Sequence, residues 1–117
     1  MKQVLLILLL FISFEGFSQS VQFGNLEVME KDLGEMDWDQ ALKEVAELGN
    51  GWRLPTIEEL IIIHDNNDEM AGFNQDLYWS STEADEANAW LFDYPNGDSY
   101  YDPKYRPAYV RAVRDVK

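Results

Sequence analysis

Few side chains in this sequence could act as a nucleophile or a general base. The chain has no cysteine and one histidine, so a Ser-His-Asp arrangement would have to use His64. No serine stands in a Gly-x-Ser-x-Gly turn, which exposes the catalytic serine in many hydrolases. His64 follows an apolar run and precedes acidic residues, a position typical of a polar helix end rather than of a catalytic base. We therefore predict that the protein is not an enzyme.

Acidic residues outnumber basic residues by 22 to 9, which gives the chain a formal net charge of −13. This excess repels nucleic-acid phosphates and anionic membrane surfaces, because binding to either requires clusters of Lys and Arg. Nucleic acid is therefore not an expected partner, whereas cations, cationic proteins and neutral polar ligands remain open. A hydrolase that uses two carboxylates is the least favoured alternative, because abundance alone does not identify a tuned acid and base.

Calcium is a second possibility, because Asp65, Asn67 and Glu69 have the alternating spacing of an oxygen-ligand loop. The sixth position of that loop is Met70 rather than glycine, and the twelfth is Asp76 rather than glutamate. An EF-hand is therefore not predicted, and a solvated acidic loop is the preferred interpretation. The weak candidates for metal ligands are Asp65, Asn67 and Asp68. No other cofactor is predicted.

Tyrosines in the C-terminal third are the main candidates for ligand binding. The sequence brings Tyr94, Tyr100, Tyr101, Tyr105 and Tyr109 close to several aspartates. Aromatic faces beside carboxylates suit a sugar ring or a cationic peptide. The alternative is that about half of these rings fill the faces of a small sheet. The predicted ligand-binding residues are Tyr94, Asp98, Tyr100, Tyr101 and Asp102.

The N-terminus has the pattern of a secretory signal: Lys2, an 11-residue apolar run at 4–14, then small and polar residues. That run is too short for a membrane span, which needs about 20 apolar residues. We predict a signal peptide at 1–20, cleaved after Ser20 or alternatively after Ser18, and one domain at 21–117. The mature protein is expected to be periplasmic or extracellular and soluble, without membrane insertion.

Two helices are predicted from apolar spacing and capping residues. Asp37 precedes the first, at 38–48, with Gln40 as its capping-box partner, and Gly49 ends it. The second begins after Thr56, has Glu59 as the reciprocal partner, and ends near residue 64. Its predicted apolar face comprises Ile57, Leu60, Ile61 and His64.

Strands are predicted on both sides of the helices, which indicates an α+β fold. The first is at 21–30, with a bulge or turn at 24–25, a short one begins at 78–79, and the last is at 108–115. In the segment 89–94, Trp90, Phe92 and Tyr94 share one face. Asn-Gly at 96–97 predicts a two-residue hairpin that would pair Phe92 with Tyr101 and Asp93 with Tyr100. Pro103 ends the return strand.

Three motifs occur in a fixed order: Trp-Arg-Leu-Pro-Thr at 52–56, Tyr-Trp-Ser-Ser-Thr-Glu at 78–83 and Val-Arg-Ala-Val-Arg at 110–114. Together they resemble the DUF1566 family, the C-terminal domain type of Legionella collagen-like adhesins. The first and third also resemble formylglycine-generating-enzyme-like sulfatase-modifying domains, and both groups have the C-type-lectin-like fold. The sulfatase-modifying domains use cysteines, which this chain lacks, so their activity is not expected.

The resemblance implies that two helices pack on a small twisted antiparallel sheet, with the first and last strands side by side. It also implies that irregular loops carry any ligand site and that the motif residues are mainly structural. Paired arginines commonly belong to the scaffold, and Glu59 or Glu83 is the expected partner of Arg53. The predicted structural residues are Trp52, Arg53, Thr56, Glu59, Trp79, Arg111 and Arg114.

The sequence thus favours an exported binding module that recognises a glycan or a protein surface. A structural or accessory envelope protein without a small ligand is the alternative. Sulfated glycosaminoglycans, with which the adhesin relatives are associated, are not expected as ligands, because a chain with a net charge of −13 repels polyanions unless calcium bridges the two.

Overall fold

The computed structural model describes residues 20–66 and 73–116, and within them the chain forms eight strands and two helices. The strands are β1 (Ser20–Phe23), β2 (Leu26–Met29), β3 (Gly34–Met36), β4 (Leu77–Glu83), β5 (Asn88–Asp93), β6 (Asp98–Pro103), β7 (Ala108–Val110) and β8 (Val113–Asp115). The helices are α1 (Trp38–Leu48) and α2 (Ile57–Asp65). No helix in this part of the chain has the length and apolarity needed to cross a membrane. The predicted α+β class is confirmed.

The predicted opening strand is a hairpin of two strands. β1 and β2 pair antiparallel around a turn that contains Gly24, whose φ of 57° lies in the left-handed region that glycine enters without steric cost. β2 then pairs antiparallel with β8, with Val28 opposite Val113. The expected adjacency of the first and last parts of the domain is therefore confirmed, and these strands form a three-stranded sheet in the order β1-β2-β8.

A second sheet has five strands in the order β3-β7-β4-β5-β6. Its pairings are antiparallel except for β4 with β7, which run parallel. The prediction of one continuous last strand at 108–115 was wrong, because β7 belongs to this sheet and β8 to the smaller one. Arg111 and Ala112 connect the two strands and are both completely buried. Four successive buried residues at 110–113 leave no alternation from which such a change of sheet could be predicted.

The first helix has the predicted bounds. The Asp37 carboxylate accepts a hydrogen bond from the backbone N–H of Gln40, and Gly49 ends the helix with a φ of 68°. The predicted capping-box role of Gln40 was wrong, because its side-chain amide donates to Glu44, one turn further on, at 2.8 Å. One side-chain cap therefore suffices at this N-terminus.

The second helix begins with the predicted capping box. Thr56 accepts from the backbone of Glu59, and the Glu59 carboxylate accepts from the backbone of Thr56. Its buried residues are Ile57, Leu60 and Ile63. Of the predicted apolar face, Ile57, Leu60 and His64 do point inward, with the His64 ring against Phe92 and Tyr94, but the inclusion of Ile61 was wrong. Ile61 is 38% exposed, whereas Ile63 packs against the three-stranded sheet.

The five-stranded sheet lies between the two helices. Neighbouring residues of a strand point to opposite faces, so Tyr78 and Trp79 in β4 face different helices. Trp79 and Leu91 share a core cluster with buried residues of α1, and Tyr78 and Phe92 share another with buried residues of α2. The predicted grouping of Trp90 and Tyr94 with Phe92 is found in the second cluster.

The hairpin between β5 and β6 has a four-residue loop at 94–97. Asp93 lies opposite Asp98, and Trp90 lies opposite Tyr101. The predicted two-residue loop was wrong by two positions of register. The Asp93 carboxylate accepts from the Asn96 side chain at 3.0 Å, and the Gly97 backbone N–H donates to the Asp93 carbonyl at 2.8 Å. These bonds close the four-residue loop, and Gly97 is the one residue at 94–97 with a positive φ, of 74°.

Candidate functional site

The three sequence motifs interlock at the centre of the fold. Arg53 and Val113 exchange two backbone hydrogen bonds of 2.8 and 2.9 Å, which join the first motif to the third. The Ser81 backbone N–H donates to the Pro55 carbonyl at 2.8 Å, which joins the first motif to the second. The segment before α2 therefore ties the central strand of one sheet to an edge of the other.

Arg53 bridges two carboxylates at this junction. Its guanidinium binds both oxygens of Glu59 at 2.8 and 2.9 Å, and Asp115 at 2.9 Å. Burial alone would raise the pKa of the Glu59 carboxyl, but the hydrogen bonds from Arg53 and from the Thr56 backbone outweigh it, so this pKa is lowered. Of the two expected partners of Arg53, Glu59 is the one present, and Glu83 binds Lys104 at 2.6 Å instead.

Arg111 is fully buried and pairs with Asp32, which follows β2. The two groups approach to 2.6 Å, and the guanidinium carbon also lies 4.0 Å from the centre of the Phe73 ring. The hydroxyl of Tyr78 donates to the same carboxylate at 2.9 Å, and burial raises the pKa of that hydroxyl. Sequence reasoning did not identify Asp32, because 79 positions separate it from Arg111 and no motif contains it.

Arg114 connects β8 with β2 and with the α1–α2 segment. It donates to Glu27 at 2.8 Å and stacks over the Trp52 ring at 4.4 Å. Hydrogen bonds from Arg114 and from Ser20 lower the pKa of the Glu27 carboxyl. Trp52 is half-buried and packs on the core cluster beneath α1. We call the ion pairs of Arg53, Arg111 and Arg114 the arginine clamps.

Tyr94, one of the predicted ligand-binding residues, lies inside the protein. It is 5% exposed and stacks on Phe73 with ring centres 4.6 Å apart. Its ring also contacts His64, at 4.9 Å between centres. Burial raises the pKa of the Tyr94 hydroxyl, which has no hydrogen-bond partner among residues 20–66 and 73–116. Tyr94 is therefore separated from the surface on which the other candidates lie.

The remaining candidates lie on β6, at the edge of the five-stranded sheet. Tyr100 is 38% and Tyr101 52% exposed, and the two point to opposite faces because they are neighbours in a strand. Tyr101 meets Trp90 edge to face at 5.3 Å. Tyr105, which the predicted set omitted, is 82% exposed. The β6 surface, as we call it, comprises Asp98, Tyr100, Tyr101, Asp102 and Tyr105.

The carboxylates of the β6 surface differ in their partners. Asp102 binds Arg106 at 2.6 Å, whereas the Asp98 side chain is exposed and has no partner in the part of the chain that the structure describes. Apart from Tyr94, the predicted residues therefore form an open strip along β6, with side chains on both faces of the sheet, rather than one pocket. With Tyr105, the strip continues into the turn that follows β6.

Of the three predicted metal ligands, only Asp65 lies within the described residues, so the predicted site stays a prediction. Asp65 is exposed at the end of α2, and Asn67 and Asp68 lie outside the described ranges. Across residues 20–66 and 73–116, no three acidic or histidine side chains could hold a metal ion together.

A shallow groove of about 240 Å³ lies between the β1–β2 hairpin, α2 and β8. Its walls include the apolar side chains of Phe23, Leu26 and Ile62. The two carboxylates that it contains, those of Glu59 and Asp115, already bind Arg53. The carboxylates of this groove therefore already belong to an arginine clamp.

The family model of the Lcl C-terminal domain matches residues 19–114. Among solved structures, the chain is similar to botrocetin, with a TM-score of 0.61 and 14% sequence identity over 83% of this chain and 96% of that chain. It is also similar, with a TM-score of 0.58 and 14% identity over the same shares, to a chain of the complex of botrocetin with a mutant von Willebrand factor A1 domain. No curated protein matches the chain in sequence. These structures confirm the C-type-lectin-like fold, whereas the resemblances to the DUF1566 family and to sulfatase-modifying domains stay predictions.

Proposed function

The chain belongs to the Lcl C-terminal domain family, and we propose that it is an exported, non-enzymatic binding module that recognises a protein ligand through the β6 surface. The observation that carries the proposal is the exposure of three tyrosines on one strand and its following turn, while Tyr78 and Tyr94 are buried. Tyrosine is enriched where proteins bind one another, because it combines a large apolar ring with a polar tip.

The charge near β6 favours a cationic ligand. The basic residues that follow the strand, Lys104 and Arg106, are already paired with Glu83 and Asp102. Asp98 has no such partner among the described residues, and the whole chain carries a formal net charge of −13. A ligand with exposed Lys or Arg side chains would therefore be attracted, and a polyanion would be repelled.

The fold is compatible with a protein ligand. Botrocetin, which has the same fold, forms a complex with the von Willebrand factor A1 domain. At 14% identity this similarity carries no residue correspondence for a binding site. It supports the proposal only by showing that a domain of this fold and size can bind another protein.

A neutral glycan is the second candidate ligand. The exposed ring of Tyr101 is braced by Trp90, and sugar rings can stack on such aromatic faces beside carboxylate acceptors. We favour a protein ligand because Tyr100 and Tyr101 point to opposite faces, which gives an extended contact rather than one sugar-sized pocket. Calcium dependence is a separate prediction, since Asn67 and Asp68 lie outside the described residues.

The assignment of binding rather than catalysis rests on the surroundings of His64. Its ring lies against Phe92 and Tyr94, with centres 5.3 and 4.9 Å away. A histidine ring packed against two aromatic rings is typical of a core position, which supports binding rather than catalysis. Export rests on the pattern of residues 1–20, nearly all of which lie outside the described ranges.

The proposal is tested by probing one array of basic, acidic and neutral peptides and one array of glycans, the latter with and without calcium. The variant is Tyr100→Ala with Tyr101→Ala, and the control is Ile62→Ala, which removes a side chain on α2 that is as exposed as Tyr101, at 52%. We expect binding to basic peptides that the tyrosine variant loses and the control keeps.

Two outcomes would decide against this function. Equal peptide binding by the wild-type protein and the tyrosine variant would show that the β6 surface is not the site. Signals from neutral glycans alone, lost in the same variant, would place the site correctly and select the glycan as the ligand.

A further inference from the structure

β6 is the longest strand at an edge of either sheet in the described residues. It has six residues, whereas the other edge strands, β1, β3 and β8, have four, three and three. The outer side of β8 is in addition bridged to the backbone of Arg53. β6 therefore presents the longest row of backbone N–H and C=O groups that no other described strand pairs with.

Apart from the charges of Asp98 and Asp102, this edge lacks the devices by which proteins usually prevent pairing with another chain. Such devices include a lysine on the strand, a proline within it and a bulge that twists it away. From Asp98 to Asp102 there is neither lysine nor proline, and Pro103 comes only at the end. The pairing of β6 with β5 runs through six residue pairs without a shift, in contrast to β4 with β5, whose register shifts after Trp79.

The side chains of β6 form two different faces beside this edge. Asp98, Tyr100 and Asp102 share one face, and Tyr101 lies on the other with its cross-strand neighbour Trp90. A strand added at the edge would place alternate side chains next to these two faces. Basic side chains fit the face of Tyr100 and Asp98, the aspartate that has no partner among the described residues, and apolar side chains fit the face of Tyr101.

Charge argues against a second copy of this chain as the added strand. An antiparallel copy centred on Tyr100 would place Asp98 of each molecule opposite Asp102 of the other. Like charges in directly opposed positions destabilise a strand pair, and each chain carries a formal charge of −13. An extended segment with alternating basic residues has the complementary pattern.

We propose that the outer edge of β6 accepts an extended basic segment of a partner protein as a sixth strand of the five-stranded sheet. This proposal rests on the assignment of the β6 surface as the binding site and adds how the ligand is held. Backbone hydrogen bonds to β6 supply the pairing, and lysine or arginine side chains beside Asp98 and Tyr100 supply the selectivity.

The test uses a six-residue peptide of alternating lysine and valine, added to the isotope-labelled full domain and followed by backbone amide NMR shifts. A peptide with glutamate in place of lysine is the charge control. Two further peptides carry N-methyl groups on all lysines or on all valines. Since alternate N–H groups of a strand point to the same side, one of these two must lose the bonds to β6.

We expect shift changes centred on residues 98–103, loss of binding with the glutamate peptide, and a roughly tenfold or greater weakening for one N-methylated peptide. If both N-methylated peptides bind like the parent while Tyr100→Ala with Tyr101→Ala abolishes binding, strand addition is wrong and the β6 surface stands. If the tyrosine variant binds the parent peptide normally, the assigned surface itself is wrong.

Two other outcomes would also overturn the inference. No shift changes in β6 at millimolar peptide would show that the edge does not accept a basic strand. Concentration-dependent dimers in sedimentation, lost on Tyr101→Lys, would identify a second copy as the occupant in place of a basic partner.

Discussion

The arginine clamps and the β6 surface differ in how fully their polar groups are partnered. Around Arg53, Arg111 and Arg114 each guanidinium meets a carboxylate, and the connecting backbone is hydrogen-bonded across both sheets. On β6, two tyrosine rings are exposed and Asp98 has no partner in the described chain. The paired arginines therefore lie within the motifs, and the exposed tyrosines and Asp98 lie outside them.

This difference explains why recognisable motifs identify the architecture but not the ligand. A paired arginine has few donors left for another molecule, so its substitution affects folding first. An exposed tyrosine at a strand edge contributes little to folding, so its substitution affects binding first. Stability and binding should consequently respond to different substitutions.

The largest expected effect is that of Arg111→Met. Methionine removes the charge that compensates Asp32, whose side chain is only 11% exposed, and breaking a buried ion pair from one side costs about 3–5 kcal/mol. The free energy of unfolding is measured by urea denaturation. The matched control is Arg106→Met, which breaks a half-exposed pair with Asp102 and should cost at most about 1 kcal/mol. Equal costs for the two variants would contradict the distinction between clamp and surface.

A smaller effect is expected where the β5–β6 loop meets α2. Gly97→Ala would place a Cβ atom 2.9 Å from the His64 ring in a backbone with a φ of 74°. Gly24→Ala is the control, because its φ is also positive, at 57°, but nothing lies within 4 Å. The control should lose about 1–2 kcal/mol from the backbone conformation. Gly97→Ala should lose about 1–3 kcal/mol more through the close contact. Thermal unfolding measures the loss of stability in both variants. Equal losses would show that the His64 ring does not contact the β5–β6 loop in solution.

Acidification should weaken the clamp region through Glu59 and Glu27. The pKa of each carboxyl is lowered from 4.5 in the folded protein, so its stabilising effect is full above that value and is lost as pH falls through the folded pKa. Glu59→Gln should therefore cost about 1–3 kcal/mol at neutral pH and flatten the decline of stability below pH 4.5. Urea midpoints at several pH values measure this. An unchanged slope would mean that Glu59 is not held by Arg53 in solution.

The smallest effect on stability is expected from Tyr100→Ala combined with Tyr101→Ala. Both rings are more than one third exposed, and the contact of Tyr101 with Trp90 is the main interaction lost. The free energy of unfolding should change by about 1 kcal/mol or less. A loss comparable to that of Arg111→Met would show that β6 is part of the scaffold.

Elements fixed by local chemistry could be predicted from the sequence, and those fixed by distant contacts could not. The bounds of α1 and the capping box of α2 followed from residues within one turn of each helix end. The change of sheet at Arg111 could not be predicted, because it depends on Asp32 and on backbone bonds to distant strands. The prediction of the hairpin register was wrong because the bonds of Asp93 and the burial of Tyr94 stabilise a four-residue loop, which is wider than the two-residue loop that Asn-Gly indicates.

The candidate site was predictable only in part for the same reason. Its residue types were visible in the sequence, but exposure depends on the neighbours that each ring meets. Tyr94 is covered by His64, which belongs to α2, and by Phe73, which belongs to the segment before β4. Tyr101 stays accessible because β6 is the last strand of its sheet. A tyrosine near an aspartate in the sequence does not distinguish these two cases.

The most direct test of the division between the arginine clamps as scaffold and the β6 surface as binding site is a dissociation constant. The lysine-valine peptide is titrated into two variants under conditions in which both are folded. For Tyr100→Ala with Tyr101→Ala we predict a roughly tenfold or greater loss of affinity, and for Glu59→Gln a change of less than about twofold. The reverse pattern, with affinity lost in Glu59→Gln and kept in the tyrosine variant, would place the binding site at the clamp of Arg53 and contradict the division.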